Sequence, residues 1–240
     1  MAVCFIAHRG YSSKYLQNTE EAFLKAVEHG SGGIETDVRI TLDGVLVVNH
    51  NKEARYADGT ELLISESTYE ALISKPLANP FTDTDLRVCT FRRYLEICRD
   101  GHMVCFIEFK GHFPDEKIRE AFELAAEVYD LSMCILQSFN FDNLVRAHEM
   151  FPDLGIMLTC DEHDADVDRC IEYGFDIDMD YDGIDDETVA LFHEHGLKVG
   201  LWTANTKDAM EYCLARNVDY IESDVFSPAE IAADGLHVVQ

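Results

Sequence analysis

The sequence is poor in cations. It contains 19 Lys and Arg against 46 Asp and Glu, which gives a formal net charge of -27 at pH 7. Because a polyanion is bound by clustered cations, this balance argues against DNA, RNA and anionic membrane surfaces as partners. The acidic residues are spread along the chain and form no tail, as is typical of a surface that keeps a protein in solution.

Long apolar runs and paired cysteine motifs are also missing. No run approaches the ~20 residues that a membrane helix needs, so we expect no stable membrane insertion. The eight cysteines show no C-x-x-C spacing, and most lie in apolar segments, where a free thiol behaves as a small hydrophobe. No charged leader precedes the first predicted strand, so we expect free thiols and a reducing cytoplasm.

Short apolar runs are what the sequence does contain, and eight of them predict β-strands. They lie near residues 3–7, 32–38, 103–109, 133–137, 154–158, 176–180, 197–202 and 219–222. All but the second are followed promptly by a helical pattern, and this order predicts an α/β fold, a parallel (β/α)8 TIM barrel. An open doubly wound sheet is the alternative, but the chain lacks the glycine-rich G-x-G-x-x-G loop.

The predicted helices follow the strands at 115–129, 141–150, 165–173, 185–195, 207–216 and 228–234. The first helix is expected to start near Asn18, with Glu21 three residues later as a capping box. Residues 51–87 are polar and rich in turns, and they precede a helix expected near Thr90. We interpret residues 1–240 as one domain, with 51–87 as a small insertion after the second strand that caps the barrel mouth.

Side chains suited to catalysis cluster where the predicted strands end, which is where TIM barrels carry their chemistry. They are His8, Arg9, Glu35, Asp37, Glu108, Lys110, Gln137, Trp202 and Asp224. The i, i+2 spacing of Glu35 with Asp37, and of Glu108 with Lys110, points each pair to one side of its strand. His50 follows a further apolar run. Two imidazoles, an arginine and paired carboxylates are typical of metal-assisted acid–base chemistry.

Taken in order, the motifs at these strand ends resemble those of the glycerophosphodiester phosphodiesterase family over nearly the whole chain. They are His8-Arg9-Gly10 with Asn18-Thr19, Glu35-Thr36-Asp37-Val38 with Thr41 and Asp43-Gly44, His50, Glu108-Phe109-Lys110, Ser138-Phe139, Trp202-Thr203-Ala204-Asn205 and Ser223-Asp224. Two positions depart from the family pattern: Leu16-Gln17 replaces Pro-Glu, and Asn51 replaces the aspartate after the second histidine. We expect Gln17 to support Arg9 by hydrogen bonding.

The resemblance implies hydrolysis of a glycerophosphodiester to sn-glycerol 3-phosphate and an alcohol. It implies one divalent metal ion, Mg or Ca, held by the oxygen ligands of Glu35, Asp37 and Glu108. In this interpretation Arg9 and Lys110 bind phosphate oxygens, and His8 and His50 act as the acid–base pair. The alternative for the three carboxylates is that they only form ion pairs with Arg9 and Lys110.

Several alternatives stay open at this point. Trp202 either closes the core or forms a wall against the glycerol of the substrate. The nucleophile is either water or the neighbouring glycerol hydroxyl. A phospholipase D-like action on lysophospholipids and a catalytically impaired phosphodiester-binding barrel are the competing functions, the latter because of Gln17 and Asn51. The expected partner is a small-molecule phosphodiester, and the oligomeric state is left open, a homo-oligomer included.

Overall fold

The computed structural model of the chain describes residues 3–225 and Glu230. In chain order its strands are β1 (Cys4–Ala7), β2 (Gly33–Ile40), β3 (Leu46–Val48), β4 (Glu53–Arg55), β5 (Glu61–Leu63), β6 (Cys89–Thr90), β7 (Val104–Phe109), β8 (Cys134–Ser138), β9 (Gly155–Cys160), β10 (Asp176–Asp180), β11 (Val199–Trp202) and β12 (Tyr220–Ser223). Its α-helices are α1 (Glu20–Glu28), α2 (Tyr69–Leu72), α3 (Phe91–Gly101), α4 (Asp115–Val128), α5 (Phe141–Met150), α6 (Ala165–Tyr173), α7 (Asp186–Glu194) and α8 (Lys207–Ala215). Short 3-10 turns cover Ile64–Glu66 and Leu131–Met133.

Eight parallel strands close into a barrel. Neighbouring strands follow the order β1, β2, β7, β8, β9, β10, β11, β12, and β12 pairs again with β1. The predicted TIM barrel is therefore confirmed, and each of its eight predicted strands is present. The predicted helix at 228–234 lies outside the described residues apart from Glu230. No described helix has both the length and the apolar character that crossing a bilayer requires.

Polar side chains at the helix starts explain where most of the helices begin. Thr90, Asn140, Asp164, Asp185 and Thr206 each accept a hydrogen bond from a backbone N–H of the first helical turn. Such caps satisfy donors that have no partner within the helix, and each contributes about 1 kcal/mol. The helices consequently begin within one residue of the predicted positions.

The first helix begins near Asn18 as predicted, but the residue that caps it was predicted incorrectly. Thr19 caps α1, and its side chain accepts from the backbone N–H of Ala22. Asn18 adopts a left-handed conformation with φ of 55°, and its side chain is buried against β2, where it bonds Thr36 and Asp37. An asparagine tolerates this conformation better than most residues, and its amide is needed elsewhere, as described below.

The interior of the barrel changes character along its axis. Ile6, Phe106, Ile135, Met157 and Tyr220 form an apolar cluster inside it. The residue two positions further along each of these strands points to the same side and is polar: His8, Glu108, Gln137, Thr159 and Glu222. The apolar cluster therefore closes the barrel below a polar layer at the carboxyl ends of the strands.

Residues 41–90 form the insertion between β2 and α3. Strand β3 runs antiparallel to β2, and β6 runs antiparallel to β3. Strands β4 and β5 form a separate two-stranded sheet. The insertion has an apolar cluster separate from the main core, and this cluster stabilises it. The cluster comprises Val47, Ala54, Tyr56, Ile64, Leu72, Leu77 and Val88. Whether 51–87 caps the mouth of the barrel stays a prediction.

Candidate active site

A cavity of about 90 Å³ lies at the carboxyl ends of the barrel strands. It is lined by His8, Arg9, Glu35, His50, Glu108, Lys110, Gln137, Phe139, Thr159, Asp178, Trp202 and Glu222. Seven of the eight predicted site residues are in this lining, and the eighth, Asp37, is buried beside them. Clefts of about 820 and 680 Å³ lie elsewhere and are not lined by any histidine, and a cleft of about 380 Å³ is lined by His112 and Lys110 but by none of the three carboxylates.

The loop after β1 places Arg9 by its backbone. Arg9 is in the left-handed region with φ of 59°, and its N–H donates to Glu35 Oε2 at 2.8 Å. Gly10 follows with φ of 81°, and a Cβ there would come within 2.8 Å of Ala22 in α1. Only glycine allows this combination of conformation and close approach. The arginine side chain then reaches Asp37, with Nε 3.3 Å from Oδ2.

A tight hairpin returns the chain so that His50 reaches the cavity. Thr41 Oγ1 bonds Asp43 Oδ1 at 2.6 Å and accepts from the backbone N–H of Val45, which closes the turn between β2 and β3. Antiparallel pairing then brings the Asn49 N–H to the Asp37 carbonyl at 2.8 Å. The guanidinium of Arg39 donates to the carbonyls of Asn49 and His50. Thr41 and Asp43 therefore build the turn, and Arg39 fixes the loop that carries His50.

The three carboxylates meet two cations. Lys110 Nζ lies 3.0 Å from Asp37 Oδ1 and 2.7 Å from Glu108 Oε1. Asp37 also accepts a 2.7 Å hydrogen bond from Asn18 Nδ2. Asp37 Oδ1 and Glu35 Oε1 are both buried without a hydrogen bond, but Lys110 lies beside the Asp37 oxygen, and no ion pair within residues 3–225 reaches Glu35. Of the ion pairs that the sequence left as an alternative, those of Asp37 and Glu108 are thus formed, whereas Glu35, among the described residues, accepts only from the Arg9 backbone N–H and keeps one oxygen without a partner.

Burial and crowding shift the pKa values of these acids in different directions. Burial, reinforced by the negative charge of Asp37, raises the pKa of Glu35 well above its usual value and that of Glu108 to about 7. Asp37 is equally buried, but Lys110 and Arg9 lower its pKa. A positive charge placed among these groups would be stabilised, because they repel one another when all are ionised.

The oxygen atoms of this group are arranged as a cation would require. One ligand oxygen from each of Glu35, Asp37 and Glu108 lies within 4.8 Å of the other two. Carboxylate oxygens are the ligands that Mg²⁺ and Ca²⁺ take in proteins. The donor set therefore can hold a hard divalent cation, and the unpartnered oxygen of Glu35 is consistent with one.

The first and last barrel strands together hold His8. Its Nδ1 lies 2.8 Å from Asp224 Oδ1, and Asp224 also accepts from Ser12 Oγ and Asn205 Nδ2. Burial alone would raise the pKa of Asp224, but these bonds lower it to about 2. Because an ionised carboxylate only accepts, Nδ1 of His8 is the donor. The Nε2 atom of His8 is thereby left for the cavity.

The two positions that depart from the family pattern touch the predicted site residues. Gln17 Oε1 accepts from Arg9 Nη1 at 2.9 Å, which confirms the expected hydrogen bond. Asn51 Oδ1 lies 3.2 Å from Nδ1 of His50. Both side chains therefore contact a residue at the cavity without reaching into it themselves.

Aromatic side chains form one wall of the cavity. Trp202 is half-buried, and its ring lies 6.0 Å from that of Phe139 in an edge-to-face arrangement. Phe139 is 47% exposed. Trp202 thus lines the cavity and does not close the core. Its contact with the glycerol of the substrate stays a prediction.

Sequence reasoning missed several residues of the site. Asn18 was assigned to a helix start, and no role was assigned to Asp178 or Glu222, although both line the cavity. The period-two alternation of Asp176, Asp178 and Asp180 with apolar residues was a usable signal, since it places these acids on one side of β10. No comparable signal marked Arg39.

Comparison with known proteins places this arrangement in a family. The family model described as the glycerophosphoryl diester phosphodiesterase family matches residues 8–226. The chain belongs to this family. Membership confirms the resemblance seen in the motifs and identifies the chain as an enzyme of the phosphodiesterase class.

Relatives of the glycerophosphoryl diester phosphodiesterase family match along nearly their whole length. A glycerophosphodiester phosphodiesterase of Caldanaerobacter subterraneus subsp. tengcongensis is 29% identical over 230 residues, which is 93% of this chain and 95% of that protein. One from Bacillus altitudinis is 27% identical, over 91% of this chain and 93% of that protein.

Solved structures show the same fold. A glycerophosphodiester phosphodiesterase from Thermotoga maritima superposes with a TM-score of 0.76 at 27% identity, covering 93% of this chain and 95% of that one. A phosphodiesterase of Oleispira antarctica, solved in complex with its product sn-glycerol-3-phosphate, superposes with a TM-score of 0.86 at 22% identity. It covers 97% of this chain and 96% of that one, and at this identity the likeness concerns the fold.

Proposed function

We propose that this protein hydrolyses glycerophosphodiesters to sn-glycerol 3-phosphate and an alcohol. The observation that carries the proposal is a single cavity lined by two imidazoles, two cations and carboxylates suited to a divalent ion. Relatives of similar length bear the name of this activity, and one solved structure of the same fold holds sn-glycerol-3-phosphate.

In this proposal Glu35, Asp37 and Glu108 hold one Mg²⁺ or Ca²⁺. A divalent cation there would offset the charge of the diester and make its phosphorus easier to attack. Arg9 and Lys110 bind the non-bridging phosphate oxygens, as their positions beside the carboxylates allow. Arg9 and Lys110 together would orient the phosphate for displacement in line with the leaving oxygen.

The two histidines divide the proton transfers between them. Burial lowers the pKa of His50, so this imidazole is neutral near pH 7 and can take a proton from the nucleophile. His8 is held through Nδ1 by the ionised Asp224, which directs Nε2 at the cavity. We assign the general base to His50 and the general acid that protonates the leaving alkoxide to His8.

One assay tests this function against its alternatives. Glycerol 3-phosphate and choline are measured after incubation with glycerophosphocholine and with lysophosphatidylcholine, each with Mg²⁺, with Ca²⁺ and with EDTA. Metal-dependent release of glycerol 3-phosphate from glycerophosphocholine is expected. Turnover of lysophosphatidylcholine alone would favour the phospholipase D-like action, and binding without turnover would favour a silent barrel. Undiminished turnover in EDTA would refute the metal site.

A further inference from the structure

A cleft beside the catalytic cavity is lined by cations and by no acid. We call it the basic cleft; it has a volume of about 380 Å³, and Arg39, Lys52, Lys110 and His112 line it together with the buried Ile64 and Phe113. Asp and Glu are absent from its lining, although the chain has a net charge of -27. The clefts of about 820 and 680 Å³, by contrast, are lined by five and four acids. The basic cleft is therefore suited to an anion.

Two cations of the basic cleft have no counter-ion. The sequence contains 19 Lys and Arg, and in the described part of the chain most of them lie within 4.0 Å of a carboxylate. The four that do not are Arg39, Lys52, Arg119 and Lys198. Acids outnumber cations more than twofold, so two cations left unpaired in one cleft indicate a place for an anion from outside the chain.

Arg39 is held in a way that leaves part of its guanidinium available. Its Nε donates to the Asn49 carbonyl at 3.0 Å, and its Nη2 donates to the His50 carbonyl. A guanidinium carries five N–H donors, so three of them have no partner among the described residues. Burial lowers the pKa of Arg39 more than the nearest acids, Asp37 first among them, raise it. An anion in the cleft would stabilise this charge.

Lys110 lines both the basic cleft and the cavity where the proposed chemistry takes place. The cavity, at about 90 Å³, has less than a quarter of the volume of the basic cleft. We therefore place the glycerol phosphate half of the diester in the cavity and its alcohol half outside. For a phosphate bound by Lys110, the basic cleft is the adjoining space, and Lys52 lies there on the insertion after β2.

We propose that the basic cleft binds an anionic group on the alcohol half of the diester, so that the enzyme prefers alcohols that carry a carboxylate or phosphate of their own. This inference rests on the proposed function and names the substrate class within it. A carboxylate or phosphate accepts charge-assisted hydrogen bonds from Arg39 and Lys52. The cationic end of a choline or ethanolamine alcohol meets the same two charges and is repelled.

The test compares glycerophosphoserine with glycerophosphoethanolamine, which differ by one carboxylate on the alcohol half. Both release glycerol 3-phosphate, which is the common measurement at one metal concentration. The net charge of -27 would by itself favour the ethanolamine diester, because that diester carries no net charge. The basic cleft should reverse this order, with kcat/KM about fivefold or more higher for the serine diester at low salt.

A phosphate on the alcohol is tested with a second pair of substrates. Glycerophosphoglycerol is compared with its derivative that carries a terminal phosphate, and loss of the diester signal in phosphorus NMR is the measurement for both. The phosphorylated substrate should be preferred. In both pairs the preference should shrink towards unity as sodium chloride rises from about 10 mM to about 1 M, because salt screens charges that are open to solvent.

Lys52→Gln and Arg119→Gln form a matched pair of variants. Each removes one exposed cation that has no counter-ion in the described part of the chain, and Arg119 lines the cleft of about 820 Å³ instead. Lys52→Gln should lower the ratio of kcat/KM for the serine and ethanolamine diesters by about threefold or more, and Arg119→Gln should keep the ratio. Arg39 also holds the loop of His50, so it is left unchanged. Thermal unfolding verifies the fold of each variant.

Several outcomes would overturn the inference. A wild-type enzyme that treats the two diesters of either pair alike has no site for an anionic alcohol. An equal loss for both diesters in Lys52→Gln would give Lys52 a structural role, and an equal fall of the ratio in Arg119→Gln would make the preference a matter of overall charge. Inhibition by inorganic phosphate that Lys52→Gln relieves, without any substrate preference, would make the cleft an effector site. All of these leave the proposed function intact, whereas a wild-type enzyme inactive on every diester refutes both.

Discussion

At the scale of single residues, the clearest prediction concerns the turnover of variants that lack the imidazole of His8 or of His50. His8→Ala and His50→Ala should each lower kcat by about 10²–10⁴-fold, the usual effect of losing a general acid or base. The fold should survive, because both residues lie just past strand ends. Circular dichroism and thermal unfolding provide the control, and near wild-type kcat in either variant would exclude that residue as a proton carrier.

The pH profile distinguishes the two roles. A base acts when unprotonated, so activity should fall as the pH drops through the pKa of His50, which burial places below its ordinary 6.5. The acid limb of kcat/KM should thus lie below pH 6.5 and disappear in His50→Ala. Loss of that limb in His8→Ala instead would reverse the assignment of acid and base.

Gln17 and Asn51 each lie against a predicted site residue and carry no charge. Gln17 already bonds Arg9, and Asn51 already lies beside the His50 ring. Restoring the carboxylates with Gln17→Glu and Asn51→Asp, alone or together, should therefore change kcat/KM by less than about tenfold, or about 1.4 kcal/mol. A gain of several orders of magnitude would show that the native chain is impaired and would favour a binding protein.

At the scale of elements, the insertion after β2 combines two tasks. Its first hairpin delivers His50 to the cavity, while residues 51–87 pack largely on an apolar cluster of their own. Replacing 51–87 with the corresponding segment of a relative should consequently change which diester is preferred. Metal dependence should persist, because the three carboxylates lie on β2 and β7. A chimera with unchanged preference among choline, ethanolamine and glycerol diesters would contradict a role for 51–87 at the mouth.

The elements also show what a sequence can and cannot predict here. Parallel strands covered on both faces give apolar runs, and a polar residue at the end of such a run is easily noticed. His8 and Glu108 were found in this way. The contacts around them depend on which strands lie across the barrel from one another. Gln137 bonds residues 41 and 85 positions further along the chain, and spacing along a sequence contains nothing about such neighbours.

At the scale of the whole molecule, binding of a divalent cation should raise the free energy of unfolding and therefore Tm. The folded pKa of Glu108, about 7, exceeds its unfolded value, so this group contributes stability at low pH that is lost as the pH rises through 7. A divalent cation replaces the proton, so the increase in Tm on adding Mg²⁺ or Ca²⁺ should be larger at pH 8 than at pH 5. At 100 times the Kd, stabilisation amounts to about 2.7 kcal/mol.

Asp37→Ala is the variant for this measurement. Removing one of three anionic ligands should weaken metal binding, so that the Tm increase shrinks and excess metal restores activity only in part. Asp176→Asn, which changes an acid outside the cavity, should retain the full increase. Equal Tm increases in wild type and Asp37→Ala would contradict this placement of the cation.

The bond between His8 and Asp224 joins residues 216 positions apart, each directly after the first or the last strand of the barrel. His8 is synthesised near the start of translation, and Asp224, which orients it, is synthesised near the end. Contacts of such long sequence separation also form late and slowly in folding. An emerging chain thus holds both imidazoles and the three carboxylates of the proposed metal site long before it can position His8. Phosphodiesterase activity should appear abruptly, when the last strand docks, and so report that the chain has been completed at least to Asp224.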